Sequence, residues 1–139
     1  MSEAENTVLA RRWFEDVWNT RREATVHEIL GNDAVGHLEG LVSHGVGEFL
    51  AARTYILTAF PDLRITVEAT AAQEENVVVR WSVQGTHGGE FLGVAPTNTP
   101  VKFRGITWLR FADGRIVEGW DVWNQGRLVM ELQAAVASH

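Results

Sequence analysis

The hydrophobic period of this chain changes at Pro61. Before it, apolar residues recur at helical spacing; after it, they alternate with polar ones. Leu9, Trp13, Phe14, Val17 and Trp18 form one helical stripe, and Ser2 followed by Glu5 reads as a capping box. Asn19 and Thr20 mark the exit of that helix. A short helix follows near Thr25 to Leu30, then an extended stretch from Ala34 to Glu39. A third helix runs from about Val46 to Phe60, with Phe49, Arg53, Ile56, Leu57 and Phe60 on one face, and Pro61 ends it. Beyond Pro61 come four alternating runs: Leu63 to Ala69, Val77 to Val83, Val101 to Leu109, and Arg115 to Trp123. Arg127 to Val136 suits a terminal helix.

Helices first and antiparallel strands second is the pattern of an α+β fold, with helices packed on one face of a curved sheet. Such a sheet curls around its helices and leaves an apolar pocket between them. The 139 residues suffice for one domain with a real core, taken here as 1–139. Trp13, Phe14, Trp18, Phe49, Phe60, Phe91 and Trp123 supply aromatics for core and pocket alike.

Composition removes several function classes. The net charge of −6 comes without a basic block, which argues against a nucleic-acid partner. The absence of cysteine excludes disulfides, thiolate nucleophiles and iron–sulfur clusters. The first residues are amphipathic and acidic rather than signal-like, and no apolar run approaches the roughly 18 residues of a membrane span. The expected location is the cytoplasm, with no membrane partner. The histidines His27, His37, His44 and His87 lack metal-ligand spacing, and neither a phosphate-binding glycine loop nor a G-x-S-x-G elbow is present.

Chemistry concentrates between Gly85 and Trp123. Asp121 stands between Trp120 and Trp123 near the end of the last strand. A carboxyl among large aromatics has its proton affinity raised, and abstraction of a proton from carbon needs such a base. The competing reading is an ordinary solvated or turn-capping Asp. His37 and His87 are candidate donors to a substrate oxygen, or else strand-end histidines bonded to backbone. Arg80 and Arg53 are expected to pair with Glu68 or Glu48 rather than to approach a pocket mouth.

The hairpin of the last two strands admits two registers. A two-residue turn at Asp113-Gly114 sets Thr107 opposite Trp120 and sends Asp121 to the other face. A three-residue loop, Ala112 to Gly114, sets Thr107 opposite Gly119 on the same face as Asp121. One residue of slip exchanges the faces, and both faces carry large apolar groups. If Asp121 faces a pocket, the face with Ile106, Trp108, Arg110, Glu118, Trp120 and Val122 needs a cover. A homodimer contact is the expectation, and the C-terminal segment is the alternative.

Two runs carry a resemblance: G-x-F-x-G-x-x-P-T from Gly89 to Thr97, and R-F-x-D-G-x-I-x-E-x-W-D from Arg110 to Asp121. With FEDVWN and AFPDLRITVE upstream, the chain resembles the SnoaL-like polyketide cyclase family from about Val8 to Leu132. The resemblance implies the cone-shaped α+β barrel of the nuclear transport factor two superfamily, an apolar ligand pocket and often a dimer. It implies acid/base catalysis of an intramolecular aldol condensation in polyketide metabolism, without metal or organic cofactor. Asp121 matches the family's catalytic aspartate. Thr107 stands where the cyclases carry a histidine, an Asn of the early strand maps near Gly36 beside His37, and an aromatic maps onto Trp18. The substrate-binding set implied is therefore Trp18, His37, His87, Thr107 and Trp123. The ending Trp120 to Asn124 also resembles hydroxylase-type members that assist oxygenation of anthracyclinone-like substrates. A ligand-binding module without chemistry is the third reading.

Overall fold

In the computed structural model, which describes residues 1–138, the first helix α1 (Glu3–Phe14) starts where the capping box predicts. Ser2 Oγ accepts from the Glu5 amide at 3.0 Å, and the Ser2 amide donates to Glu5 Oε1 at 3.0 Å. The helix does not stop at Phe14. It widens into a π-helical segment, Glu15–Thr20, and ends at Arg21, whose φ of 62° is left-handed. Asn19 therefore does more than mark an exit. Its side-chain amide donates to the Ile65 carbonyl at 2.8 Å and accepts from the Ile65 amide at 2.8 Å. A side chain thus satisfies both backbone groups of one edge-strand residue.

Helix α2 (Glu23–Ile29) leads into β1 (Leu30–Leu38) and β2 (Leu41–His44), followed by α3 (Gly45–Ala59). The strand β2 has no counterpart in the sequence reading. After Pro61 come β3 (Arg64–Gln73), β4 (Asn76–Thr86), β5 (Pro100–Ala112) and β6 (Arg115–Trp123), then α4 (Gln125–Ala137). The six strands form one open mixed sheet in the order β2-β1-β6-β5-β4-β3. All neighbours are antiparallel except β1 and β6, which run parallel.

Alternation does what the sequence predicts along β4 and β5. Val77, Val79, Trp81 and Val83 point to the helices, as do Val101, Leu109 and Phe111, and all are buried. They meet Ala10, Trp13, Phe14 and Val17 from α1 and its extension, with Val26 and Ile29 from α2. Among the described residues, no helix is long and apolar enough to cross a membrane.

The hairpin register agrees with neither expectation. The turn has two residues, with Asp113 at φ 50° and Gly114 at φ 77°, the positive pair of a type I′ turn. Ala112 pairs with Arg115 and Phe111 with Ile116, but the next pair is Arg110 with Glu118. Val117 is an extra residue, a β-bulge, and it reverses the alternation along β6. Ile116 and Asp121 are five residues apart, so strict alternation would put them on opposite faces; with the bulge both point inward. Thr107 comes to lie directly opposite Asp121.

The outer face holds Arg110 with Glu118, Trp108 with Trp120, and Ile106 with Val122. Helix α4 buries Leu128 and Leu132 but does not cover that face, contrary to the C-terminal alternative. Ile106 stays 45% exposed, Trp108 46% and Val122 65%.

Candidate active site

Between the concave face of the sheet and α3 lies a cavity of about 680 Å³. Its walls are mostly apolar, from Trp13, Trp18, Phe49, Phe91, Phe103 and Trp123. Phe49 packs between Trp13 and Trp18, with ring centroids at 5.0 and 6.3 Å. Trp123 stacks on Phe103 at 4.7 Å. Gly105 makes the sheet floor possible: a Cβ there would fall 2.6 Å from the Trp81 ring and 2.7 Å from the Val122 carbonyl oxygen.

Asp121 enters this cavity from β6, and Thr107 from the opposite position on β5. Thr107 Oγ1 donates to Asp121 Oδ1 at 2.6 Å and accepts from Trp81 Nε1 at 2.9 Å. The indole can only donate, so the threonine proton is directed at the carboxyl. Burial pushes the Asp121 pKa from 3.8 up to about 6; the Thr107 bond pulls the other way, and the charge of Glu39 at the cavity wall adds to the rise. Burial wins because one hydroxyl replaces only part of the water that a carboxylate requires. The second carboxyl oxygen has no protein partner among the described residues.

The other expected site residues divide. Trp18, Thr107 and Trp123 line the cavity. His37 and His87 do not, and both are corrections to the sequence reading. His37 sits on the outer face, bonded to Glu118 Oε2 at 2.8 Å and stacked on Trp120 at 5.3 Å. It neighbours Gly36, which does line the cavity, and strand alternation turns it away. His87 is wholly buried beside Phe60, with Nδ1 taken by the hydroxyl and amide of Thr97 at 2.9 and 3.2 Å. Burial holds its pKa below that of an ordinary imidazole. Arg80 lies 3.9 Å from Glu68, as expected. Arg53 pairs with neither acid; its Nε donates to the Val17 carbonyl at 3.0 Å, and it lines the cavity.

Sequence reasoning missed several cavity residues with polar groups, among them Trp81, Ser43 and Glu39. Trp81 was legible as inward-facing, but its bond to Thr107 depends on the pairing across β4 and β5. Ser43 is buried and lines the cavity opposite Gly36, so it brings a hydroxyl to the wall where Gly36 has no side chain. Finding it required β2. Glu39 is in the tight β1–β2 connection. Among the described residues, no three His, Asp or Glu side chains are grouped to hold a metal ion.

Known structures share this architecture. A candidate SnoaL-like polyketide cyclase from Jannaschia sp. CCS1 superposes with a TM-score of 0.89 at 23% identity, covering 95% of this chain and 94% of its own. AclR, a hydroxylase candidate from Streptomyces galilaeus, is 32% identical with a TM-score of 0.84 over 96% and 98% of the two chains. IdmH, a polyketide cyclase candidate from Streptomyces antibioticus, is 28% identical with a TM-score of 0.79 over 92% and 98%. No curated protein sequence matches. The sequence itself matches the SnoaL-like polyketide cyclase profile over residues 8–132, from the middle of α1 through most of α4, with every residue of the Asp121 site. The chain belongs to the SnoaL-like polyketide cyclase family.

Proposed function

We propose that this protein is a cofactor-independent acid/base enzyme of the cyclase type, with Asp121 as its base. The observation that carries the proposal is one carboxyl, held near pKa 6 by burial, in an apolar cavity large enough for a polycyclic ligand. Ionised Asp121 takes a proton from the carbon between two carbonyl groups. The enolate carbon attacks the acceptor carbonyl carbon and forms the new C–C bond. The proton on Asp121 then passes to the acceptor oxygen, which leaves a neutral aldol and regenerates the base. Positioning by the aromatic walls contributes several kcal/mol, and general base catalysis about 10²–10⁴-fold.

The proton-abstraction step can be tested without the natural substrate. 1-(2-Naphthyl)butane-1,3-dione carries the acidic carbon, and its hydrogen–deuterium exchange at neutral pH is read by NMR. The expected result is exchange accelerated by the protein and lost in Asp121→Asn. Unchanged exchange in that variant removes Asp121 as the base.

The likeness to AclR supports a second reading, in which the carbanion formed at Asp121 adds dioxygen and the adduct takes up the abstracted proton, which leaves a hydroperoxide on that carbon; its reduction to an alcohol then needs a two-electron reductant such as a thiol or a reduced nicotinamide. Oxygen uptake with a quinone-like substrate separates it from the cyclase reading. Both readings take the outer sheet face as a homodimer contact. Its support is the contiguous exposure of Ile106, Trp108 and Val122, an apolar patch of the kind that a second copy covers.

A further inference from the structure

Arg53 is the unexplained charge of this cavity. It is 9% exposed, on the face of α3 that looks toward the sheet. Its Nε donates to the carbonyl of Val17, in the π-helical segment whose end leaves carbonyls open. That bond uses one of the five donors of the guanidinium. Among the described residues the other four have no acceptor, and no carboxylate lies within ion-pairing distance. Neither Nη atom is sealed away from solvent without a partner, and the residue lines the cavity. The unpartnered donors therefore belong to a residue of the cavity wall, and they are reached by solvent.

A helix cap alone does not account for this arrangement. A neutral donor would serve Val17 equally well, whereas a permanent cation nine-tenths buried without a carboxylate gives up most of its water at a cost. The cost is offset when a ligand brings the anion. We propose that Arg53 anchors an oxyanion of the ligand, a carboxylate or the ionised oxygen of an acidic enol, on an otherwise flat and apolar molecule. The proposal rests on the reading of this cavity as the ligand site and deepens it. The cation sits on the helix layer and the Asp121 carboxyl on the sheet layer, so the two fix the ligand's direction. The electron-rich oxygen goes to Arg53 and the acidic carbon to Asp121. Arg53 is also placed to receive the negative charge that grows on oxygen when Asp121 removes the proton.

The test compares anthraquinone-2-carboxylate with its neutral carboxamide, a probe pair of nearly equal shape. Binding is read at neutral pH by calorimetry and by quenching of the cavity tryptophans. Wild type is expected to prefer the carboxylate by about tenfold or more, the effect of a charge-assisted bond. Arg53→Gln should abolish that preference and Arg53→Lys should keep part of it, with thermal melts showing that both fold. Equal binding of the two probes by wild type needs no variant to interpret and overturns the anchor alone. A preference that survives in folded Arg53→Gln also overturns it. Binding of neither probe overturns the anchor together with the cavity as a ligand site. The exchange assay with Asp121→Asn is independent of all three outcomes, so failure of the base and failure of the anchor remain distinguishable.

Discussion

Replacing Asp121 by Asn should make the protein more stable at alkaline pH and hardly change it in acid. The folded pKa is about 6, against 3.8 for the ordinary carboxyl. Each pKa unit is worth about 1.4 kcal/mol, so keeping the ionised group in place costs the fold about 3 kcal/mol. Because the folded value is the higher one, the native state holds the proton more tightly than the unfolded chain. This group's contribution to stability is therefore greatest below about pH 4, falls as pH rises toward 6, and is flat above about 7. Asn is nearly isosteric, can accept the Thr107 hydroxyl, and has no charge to desolvate. Urea unfolding of both proteins at matched concentration, followed by tryptophan fluorescence, gives the comparison. At pH 8 the variant should be more stable by up to about 3 kcal/mol; at pH 4 the gap should shrink below about 1 kcal/mol. Other titrating groups cancel in the difference. A gap that is the same at both pH values would refute the reasoning, because the carboxyl would then not sit where its charge is opposed. The general-base proposal would lose its physical ground with it.

Thr107→Val removes the one bond that favours ionised Asp121, so the pKa should rise above 6; NMR titration of the labelled carboxyl reads the direction, and a fall contradicts the site described here. Gly105→Ala would force a methyl against Trp81 and the Val122 carbonyl, with an expected loss of about 1–3 kcal/mol in urea unfolding. Trp108→Glu on the outer face should convert a dimer into a folded monomer in sedimentation, and a monomeric wild type would end the proposed contact.

Much of this molecule is written locally. The capping box at Ser2 and Glu5, the stop at Pro61 and the turn at Asp113-Gly114 each act within a few residues, so they were legible in the chain. The inward series on β4 was legible for the same reason, since alternation needs only near neighbours. So was the suspicion attached to Asp121, an acid between tryptophans. What the sequence could not decide was its direction. The turn type alone sends Asp121 outward, and the outer residues of β6 are apolar enough to permit it. The bulge at Val117 reverses the faces, and a bulge arises where two strands must be matched over their whole length rather than from any residue's preference. His37 was misplaced by one position on β1, which on a strand is a change of face. Arg53 was expected to find an acid because isolated charges are seldom buried; only the packing of α3 over the sheet leaves it on the cavity wall without one. Local chemistry fixed most of the elements, β2 excepted, and the Asp121 and Thr107 pair as reactive groups. Their meeting in one cavity depends on long-range pairing, which no short stretch of sequence encodes.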